Sequence, residues 1–493
     1  MPAEFKSLLR ARYPMIWLET DEEDRAVKLA CEVASAQGDA AAGWSLTYGL
    51  HDVPGPATPG SQKDPLSLLA YIRDQDRRCV WLLKDMPALV SGPGGNIPLA
   101  RALKDTALTL KNRGSCLVCI GANGRPPPML SGVASTHSLS LPDAAEHAAL
   151  LKDIARQLAL PIQPEALDQL SQACLGLTLD QAENIWARVR SQGGRFTVDD
   201  LAQVIREKAR IVRGSGYLEF VEPVSMDEVG GLQSLKRWLS RRRLGFSTEA
   251  RGLGLPFPRG VLLVGVQGCG KSLVARAVAG AWQQPLLRMD VGALMEGLVG
   301  ASENNLRRAL DLAEQVSPCV LWVDEVEKAL GGSDGSLDGG TSLRMLGTLL
   351  TWMQEKTKPV FLLATANQID GLPPELLRKG RFDEIFFVDL PDEEQRREIW
   401  QVHLEARARA SADSELLSRV DVGALVSLSD GYSGAEIAAA VIEGAFDALA
   451  GGRAPSGPEF AAALSASPPL SRTRAESIDA LRSWAQERAR RAS

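Results

Sequence analysis

The feature that most limits the fold of this chain is Gly265-Val266-Gln267-Gly268-Cys269-Gly270-Lys271-Ser272, which directly follows the apolar run Gly260-Val261-Leu262-Leu263-Val264. The run reads as a buried strand and residues 271–282 as a helix, so the spaced glycines mark a strand-to-helix turn. The G-x-x-x-x-G-K-[ST] spacing has a physical basis. Glycines let backbone N–H groups turn inward around phosphate oxygens, and the helix N-terminus adds positive potential. Lys271 supplies a point charge for β- and γ-phosphates, and Ser272 a hydroxyl for Mg²⁺. Strands alternating with helices in this way predict a parallel sheet covered by helices.

A second element completes the pattern. Val320-Leu321-Trp322-Val323 carries Asp324 and Glu325 to its C-terminal end, where ligands of open α/β sheets bind. Asp324 suits the Mg²⁺ shell; Glu325 suits the orientation or deprotonation of an attacking water. Two acids after an apolar run are common alone, but behind a phosphate loop they point to nucleotide hydrolysis. Asn367 ends the apolar run 362–366 and can align water against a γ-phosphate. Arg378 and Arg381 can stabilise charge on a transferred phosphoryl group. In isolation, a turn-forming Asn and a solvated basic loop are the plainer accounts of these three residues.

The strand–helix rhythm occurs twice. Apolar strands are expected at 13–18, 44–48, 79–83, 115–121 and 136–141, then helices alone over 143–213; a second series begins near Met226. Hydrophobic residues make up 45% of the 493, enough for sizeable cores, and no apolar stretch approaches the ~20 residues of a membrane span. The net charge of −6 argues against a nucleic-acid partner held by global basicity. Seven scattered cysteines and an N-terminus without signal-peptide pattern point to the cytoplasm. Cys116 and Cys119 are expected on opposite faces of one strand. Cys269, beside Lys271 and inward N–H groups, is expected to favour its thiolate. The glycine-rich stretch 331–340 reads as a flexible connector or a substrate-facing loop.

Together these residues resemble the AAA clade of AAA+ ATPases over about residues 220–493. Asp227-Glu228-Val229-Gly230-Gly231-Leu232 is similar to the segment that passes the adenine, and Gly431-Tyr432-Ser433-Gly434-Ala435-Glu436 to the lid turn that closes over it. The resemblance implies ATP and Mg²⁺ as cofactors. It places nucleotide contacts at Gly230, Gly231, Gly265, Gly268, Cys269, Gly270, Lys271, Ser272, Leu273, Gly434 and Ala435. Asn367 would be the polar sensor, and Arg378 and Arg381 fingers serving a neighbour's ATP. That implies a homo-oligomeric ring, commonly of six subunits. Glu327 stands where the clade more often has Asp.

The segments Gly297-Leu298-Val299-Gly300, Pro318-Cys319-Val320-Leu321-Trp322, Pro468-Pro469-Leu470-Ser471 and Leu481-Arg482-Ser483-Trp484-Ala485, with the phosphate loop, narrow the likeness. They resemble an AAA family named from an open reading frame of algal plastids, which begins much like Leu8-Leu9-Arg10-Ala11-Arg12-Tyr13-Pro14. The expected fold is α/β, with two RecA-like or AAA-like parallel-sheet units in series, each followed by a helical lid. The expected division is a degenerate nucleotide-free domain (1–142), a lid-like helical subdomain (143–215), a linker (216–225), the large ATPase domain (226–390), its lid (391–470) and a C-terminal helix (471–493). The first unit has acids where a phosphate loop would have glycines, and Lys84-Asp85 at a strand end.

Leu298, Val299 and Gly300 occupy the pore-loop position, with Leu298 where threading relatives of the clade carry an aromatic ring. Two readings of function follow. One is a Mg-ATP-hydrolysing ring that remodels an unknown protein substrate or adaptor. The other is a nucleotide-gated switch or scaffold that recruits partners through its N-terminal domain. A nucleic-acid motor is the weakest option.

Overall fold

The computed structural model describes residues 2–54, 60–91, 95–122, 125–160, 162–193, 195–213, 216–295, 301–330, 339–369, 371–378 and 380–493. They form two compact units, one of residues up to 159 with 177–188, the other of 160–176 with 189–493. The helices expected as one lid-like subdomain over 143–215 are therefore divided between the units.

The first unit contains β1 (Met15–Glu19), β2 (Ala40–Ser45), β3 (Gly49–Asp52), β4 (Cys79–Lys84), β5 (Cys116–Gly121) and β6 (Ala134–Ser138). They lie in the order β3-β2-β4-β5-β1-β6, all neighbours parallel except β3 on β2. Alternate residues face two cores: Met15 and Trp17 one, Ile16 and Leu18 the other. Both faces of a parallel sheet are covered, which is why β1, β4 and β5 read as continuous apolar runs. Cys119 packs in the first core and Cys116 in the second, as their spacing requires.

The second unit contains β7 (Leu218–Val221), β8 (Gly260–Gly265), β9 (Leu286–Met289), β10 (Cys319–Val323), β11 (Val360–Ala366), β12 (Glu384–Val388) and β13 (Arg490–Arg491). Their order is β13-β12-β8-β11-β10-β9-β7. Within the five central parallel strands, numbered along the chain, the order is fifth, first, fourth, third, second. The first unit has the same order in β6-β1-β5-β4-β2. Both units thus share one strand order, and one backbone detail coincides as well. Asp85, following β4, and Glu325, following β10, both adopt left-handed backbone, at φ 59° and 50°. The non-glycine strain is shared by equivalent strand ends.

The two differ where the first parallel strand meets its helix. In the first unit only Thr20–Glu22 separate β1 from the helix Glu23–Gln37. Arg25 is buried there, donating to Glu22 at 2.7 Å, to both oxygens of Glu146 at 2.9 and 2.7 Å, and to the Ser140 carbonyl at 2.6 Å. Glu22 in turn accepts from the backbone N–H of Leu179 at 2.8 Å. An internal ion network occupies the strand-to-helix turn that forms a phosphate cradle in the second unit. Lys84 pairs with Glu23 and Asp24.

Three expectations change. Part of the linker over 216–225 is strand β7, antiparallel on β9. Leu218 and Phe220 pack into the core, while Glu219 pairs with Arg288 at 2.9 Å. The helix expected over 471–493 runs from Ala475 to Arg488 after a short turn at Leu470–Thr473, and the tail then pairs with β12. The Ala492 N–H donates to Phe387, and its carbonyl accepts from Leu235. Of the glycine-rich stretch, 331–338 lie outside the described residues, and Gly339 and Gly340 open the helix Gly339–Glu355.

The helix Leu201–Arg213 is fixed to the second unit by Lys208. This fully buried lysine donates to the Val316 carbonyl at 2.9 Å, just before β10. Gly176 approaches the same turn so closely that a Cβ would lie 1.8 Å from the Gln315 carbonyl oxygen.

Candidate nucleotide site

β8 ends against β12. The Val266 N–H donates to the Val388 carbonyl at 3.0 Å, and a Cβ on Gly265 would sit 2.0 Å from that oxygen. The chain then turns through Gly268 and Gly270, at φ 77° and 87°, into the helix Lys271–Trp282. Lys271 is buried, and its ammonium donates to the Gly265 and Val266 carbonyls at 2.7 Å each. Burial lowers its pKa to about 8. A phosphate in the cradle would favour the charged form again.

The acids approach from β10 and β11. Ser272 donates to Asp324 at 3.4 Å, and Thr365 donates to the same oxygen. Thr365 also accepts the Glu325 N–H at 3.1 Å, so one hydroxyl ties the two acids to β11. The Asn367 side chain donates to Glu325 Oε1 at 2.9 Å, and its backbone N–H to Glu327 at 2.9 Å. Ser272 and Asp324 offer the hard oxygen ligands that Mg²⁺ prefers.

These groups line one end of a cleft of about 390 Å³. Its other end is apolar, formed by Val229, Leu232, Ile399, Val402 and Ala438, with His403 beside them. A flat base fits such a slot. Gly230 and Gly231 are needed at its wall. A Cβ on Gly230 would meet Ile399 at 2.7 Å and one on Gly231 would meet Gln395 at 2.7 Å, while the Gly231 N–H donates to Glu398 at 2.7 Å. Across the cleft, Ser433 caps the helix Gly434–Ala450, and the Ala435 N–H donates to the Gly268 carbonyl at 2.9 Å. The lid helix is thereby joined directly to the phosphate loop.

The family model described as "ATPase family associated with various cellular activities (AAA)" matches residues 261–390, which hold the loop, both acids and Asn367. Relatives extend this over nearly the whole chain: a protein of Trieres chinensis is 36% identical over 483 residues, 97% of this chain and 95% of the relative. The chain belongs to the AAA ATPase family. The Trieres protein, named uncharacterized AAA domain-containing protein ycf46, has similar counterparts of the same name. In Guillardia theta the identity is 36%, covering 98% of this chain and 94% of the relative; in Pyropia yezoensis it is 35%, covering 99% of each. Residues 1–137 match the SpoVK-like AAA ATPase N-terminal domain and 145–215 its second domain.

Within this AAA cleft, Gly230, Gly268, Cys269, Gly270, Lys271, Ser272, Leu273, Asp324, Glu325, Asn367, Gly434 and Ala435 all contribute to the lining. Gly231 and Gly265 stand directly behind it in the hydrogen bonds above. Thr365, Asp389 and His403 also line the cleft and were not singled out from sequence. Thr365 was detectable as the one hydroxyl in an apolar strand, whereas His403 carried no local signal. Asp389 is held by Arg482 of the C-terminal helix at 3.0 Å. Arg378 is exposed and Arg381 donates to the Leu350 carbonyl at 3.0 Å; neither lines this chain's own cleft. Leu298, Val299 and Gly300 lie outside the described residues.

The thiolate expected at Cys269 is a correction. Burial outweighs the attraction of Lys271 and pushes the thiol up to about 12. Iodoacetamide at pH 7.5 should therefore label Cys269 far more slowly than a free thiol, as read by peptide mass mapping. Labelling at the free-thiol rate would restore the thiolate assignment.

Proposed function

We propose that this AAA protein hydrolyses Mg-ATP and works as a ring, commonly of six subunits, that remodels a protein partner. The observation that carries this reading is the convergence of Lys271, Ser272, Asp324, Glu325 and Asn367 on one cleft whose other end is apolar. When bound, Mg²⁺ would supply charge neutralisation at the phosphates. Lys271 holds phosphate oxygens, Asp324 and Ser272 hold the metal shell, and Glu325 receives a proton from water oriented with Asn367.

Two features support the ring. Arg378 and Arg381 have no role at their own chain's cleft, which suits fingers offered to a neighbour. On the lid helix, Ile442, Phe446 and Leu449 follow i, i+4, i+7 spacing and are 53%, 60% and 73% exposed, an apolar stripe of the kind that marks an interface. The proposed domains are those expected from sequence, except that the helices of 143–215 are shared between the two units and that β7 and the C-terminal tail belong to the ATPase sheet. The first unit serves assembly or recruitment, since an ion network fills its equivalent of the cradle. A nucleotide-gated scaffold is the second reading, favoured by Leu298 in place of an aromatic residue.

Light scattering of Glu325→Gln should show a multimer with Mg-ATP and a smaller species without it. Mixing Glu325→Gln subunits with Arg378→Ala/Arg381→Ala subunits should recover turnover that neither shows alone. A persistent monomer, or no recovery on mixing, overturns the ring.

A further inference from the structure

Glu325 is the group whose carboxylate must reach water, yet both its oxygens are engaged. Oε1 accepts from Asn367 at 2.9 Å, and Oε2 pairs with the ammonium of Lys328 at 2.6 Å. Asn367 is itself held by Glu327, a buried acid whose Oε1 accepts the Asn367 backbone N–H and whose Oε2 has no protein partner among the described residues. Glu325 sits on left-handed backbone at φ 50°, which fixes where its side chain starts. Lys328 lies one helical turn further along the segment Val326–Leu330, and its side chain is 69% exposed. It does not line the cleft, and among the described residues its ion pair is with Glu325.

We propose that Lys328 is a positioning residue that restrains the Glu325 carboxylate and must release it before hydrolysis. The inference rests on the ATPase reading above. The pair i, i+3 needs no packing to form, so it closes whenever the carboxylate is not engaged elsewhere. Its exposure keeps it weak, as a releasable restraint must be. Asn367 and Lys328 approach different oxygens, so the carboxylate can leave the lysine while keeping the asparagine. The restraint adds to the activation barrier only, since Lys328 lies outside the cleft that would hold nucleotide.

Lys328→Met should raise basal kcat by about threefold while leaving KM for ATP in place, the fold-change expected from removing an exposed pair. Lys328→Arg, which keeps a donor cation, should return most of that gain. A structural role would instead lower kcat or stability in both variants. A second measurement does not depend on turnover. In protein grown on lysine ¹³C-labelled at Cε, the Lys328 resonance, assigned by its loss in Lys328→Arg, should shift in Glu325→Gln. It should shift likewise in wild type when ADP, Mg²⁺ and aluminium fluoride are added. A resonance insensitive to both changes, or a Lys328→Met variant with unchanged or lower kcat, overturns the restraint. A Glu325-dependent resonance in a protein that never hydrolyses ATP leaves the restraint standing and overturns the ATPase reading.

Discussion

Glu325→Gln should bind Mg-ATP with near wild-type affinity and turn it over at least about a hundredfold more slowly, the usual scale for loss of a general base. Glutamine keeps the shape of the side chain, and its carbonyl oxygen can still accept from Asn367, which now donates to Glu325 Oε1 at 2.9 Å. The hydrogen bonds of Lys271 and of the Ser272–Asp324 pair do not involve the Glu325 side chain, so the cradle proposed to hold phosphate keeps them. What disappears is the negative charge that takes a proton from water. Lys271→Ala should behave in the opposite way. It removes the ammonium that now binds two loop carbonyls, and nucleotide affinity itself falls. Isothermal titration together with steady-state phosphate release separates the two. Equal loss of binding in both variants, or full turnover in Glu325→Gln, would sink the assigned roles.

The residues of the sequence reading that the structure brings into one cleft include pairs whose relation is set by the backbone between them. Lys271 and Ser272 follow the glycines by fixed spacing, and Asp324 and Glu325 end an uninterrupted apolar run. Elements whose existence depends on distant partners were not legible. β13 is two residues long and forms only because β12 offers an edge and Ala492 finds Phe387 and Leu235; β7 forms because β9 pairs with it. Such short strands carry little intrinsic preference. The base end of the cleft brings together residues near 230, 400 and 435. Cys269 shows the same limit in electrostatics, because its positive neighbours were visible in sequence and its burial was not.

The shared strand order has a consequence for the first unit. Sequence showed that acids, Glu22 among them, stand after β1 where a phosphate loop would have glycines. The structure buries Glu22 against Arg25 and the Leu179 N–H, and Arg25 reaches on to Glu146, so the turn is held by positions more than a hundred residues further along the chain. The two units share a strand order, and where the second has its phosphate loop the first has internal contacts. The network satisfies buried backbone groups from two other segments, the Leu179 N–H through Glu22 and the Ser140 carbonyl through Arg25.

Arg25→Met should therefore destabilise the first unit by about 3–5 kcal/mol, the range for removing one member of a buried ion pair. The Arg25 and Glu22 side chains are each only 4% exposed, so solvent screens this pair little. The variant leaves the Glu22 carboxyl buried with only the Leu179 N–H as a close partner. Burial already raises the Glu22 pKa in the intact protein, and removal of the cation raises it further. A carboxyl raised in the folded state costs nothing while it is protonated in both states. Its cost grows as pH rises from the unfolded value toward the folded one. The defect should thus be mildest near pH 5 and largest near pH 8. Hydrogen exchange should localise it, with amides of Glu23–Gln37 and the first turn of Leu179–Ser191 exchanging about a hundredfold faster or more. Lys6→Met, which removes an exposed pair with Glu32, should change stability by less than about 1 kcal/mol. Adding Glu22→Gln to Arg25→Met should recover part of the loss, because it removes the stranded charge. Exchange unchanged by Arg25→Met, or a defect that worsens toward acid pH, would show that the network does not hold this end of the first unit together.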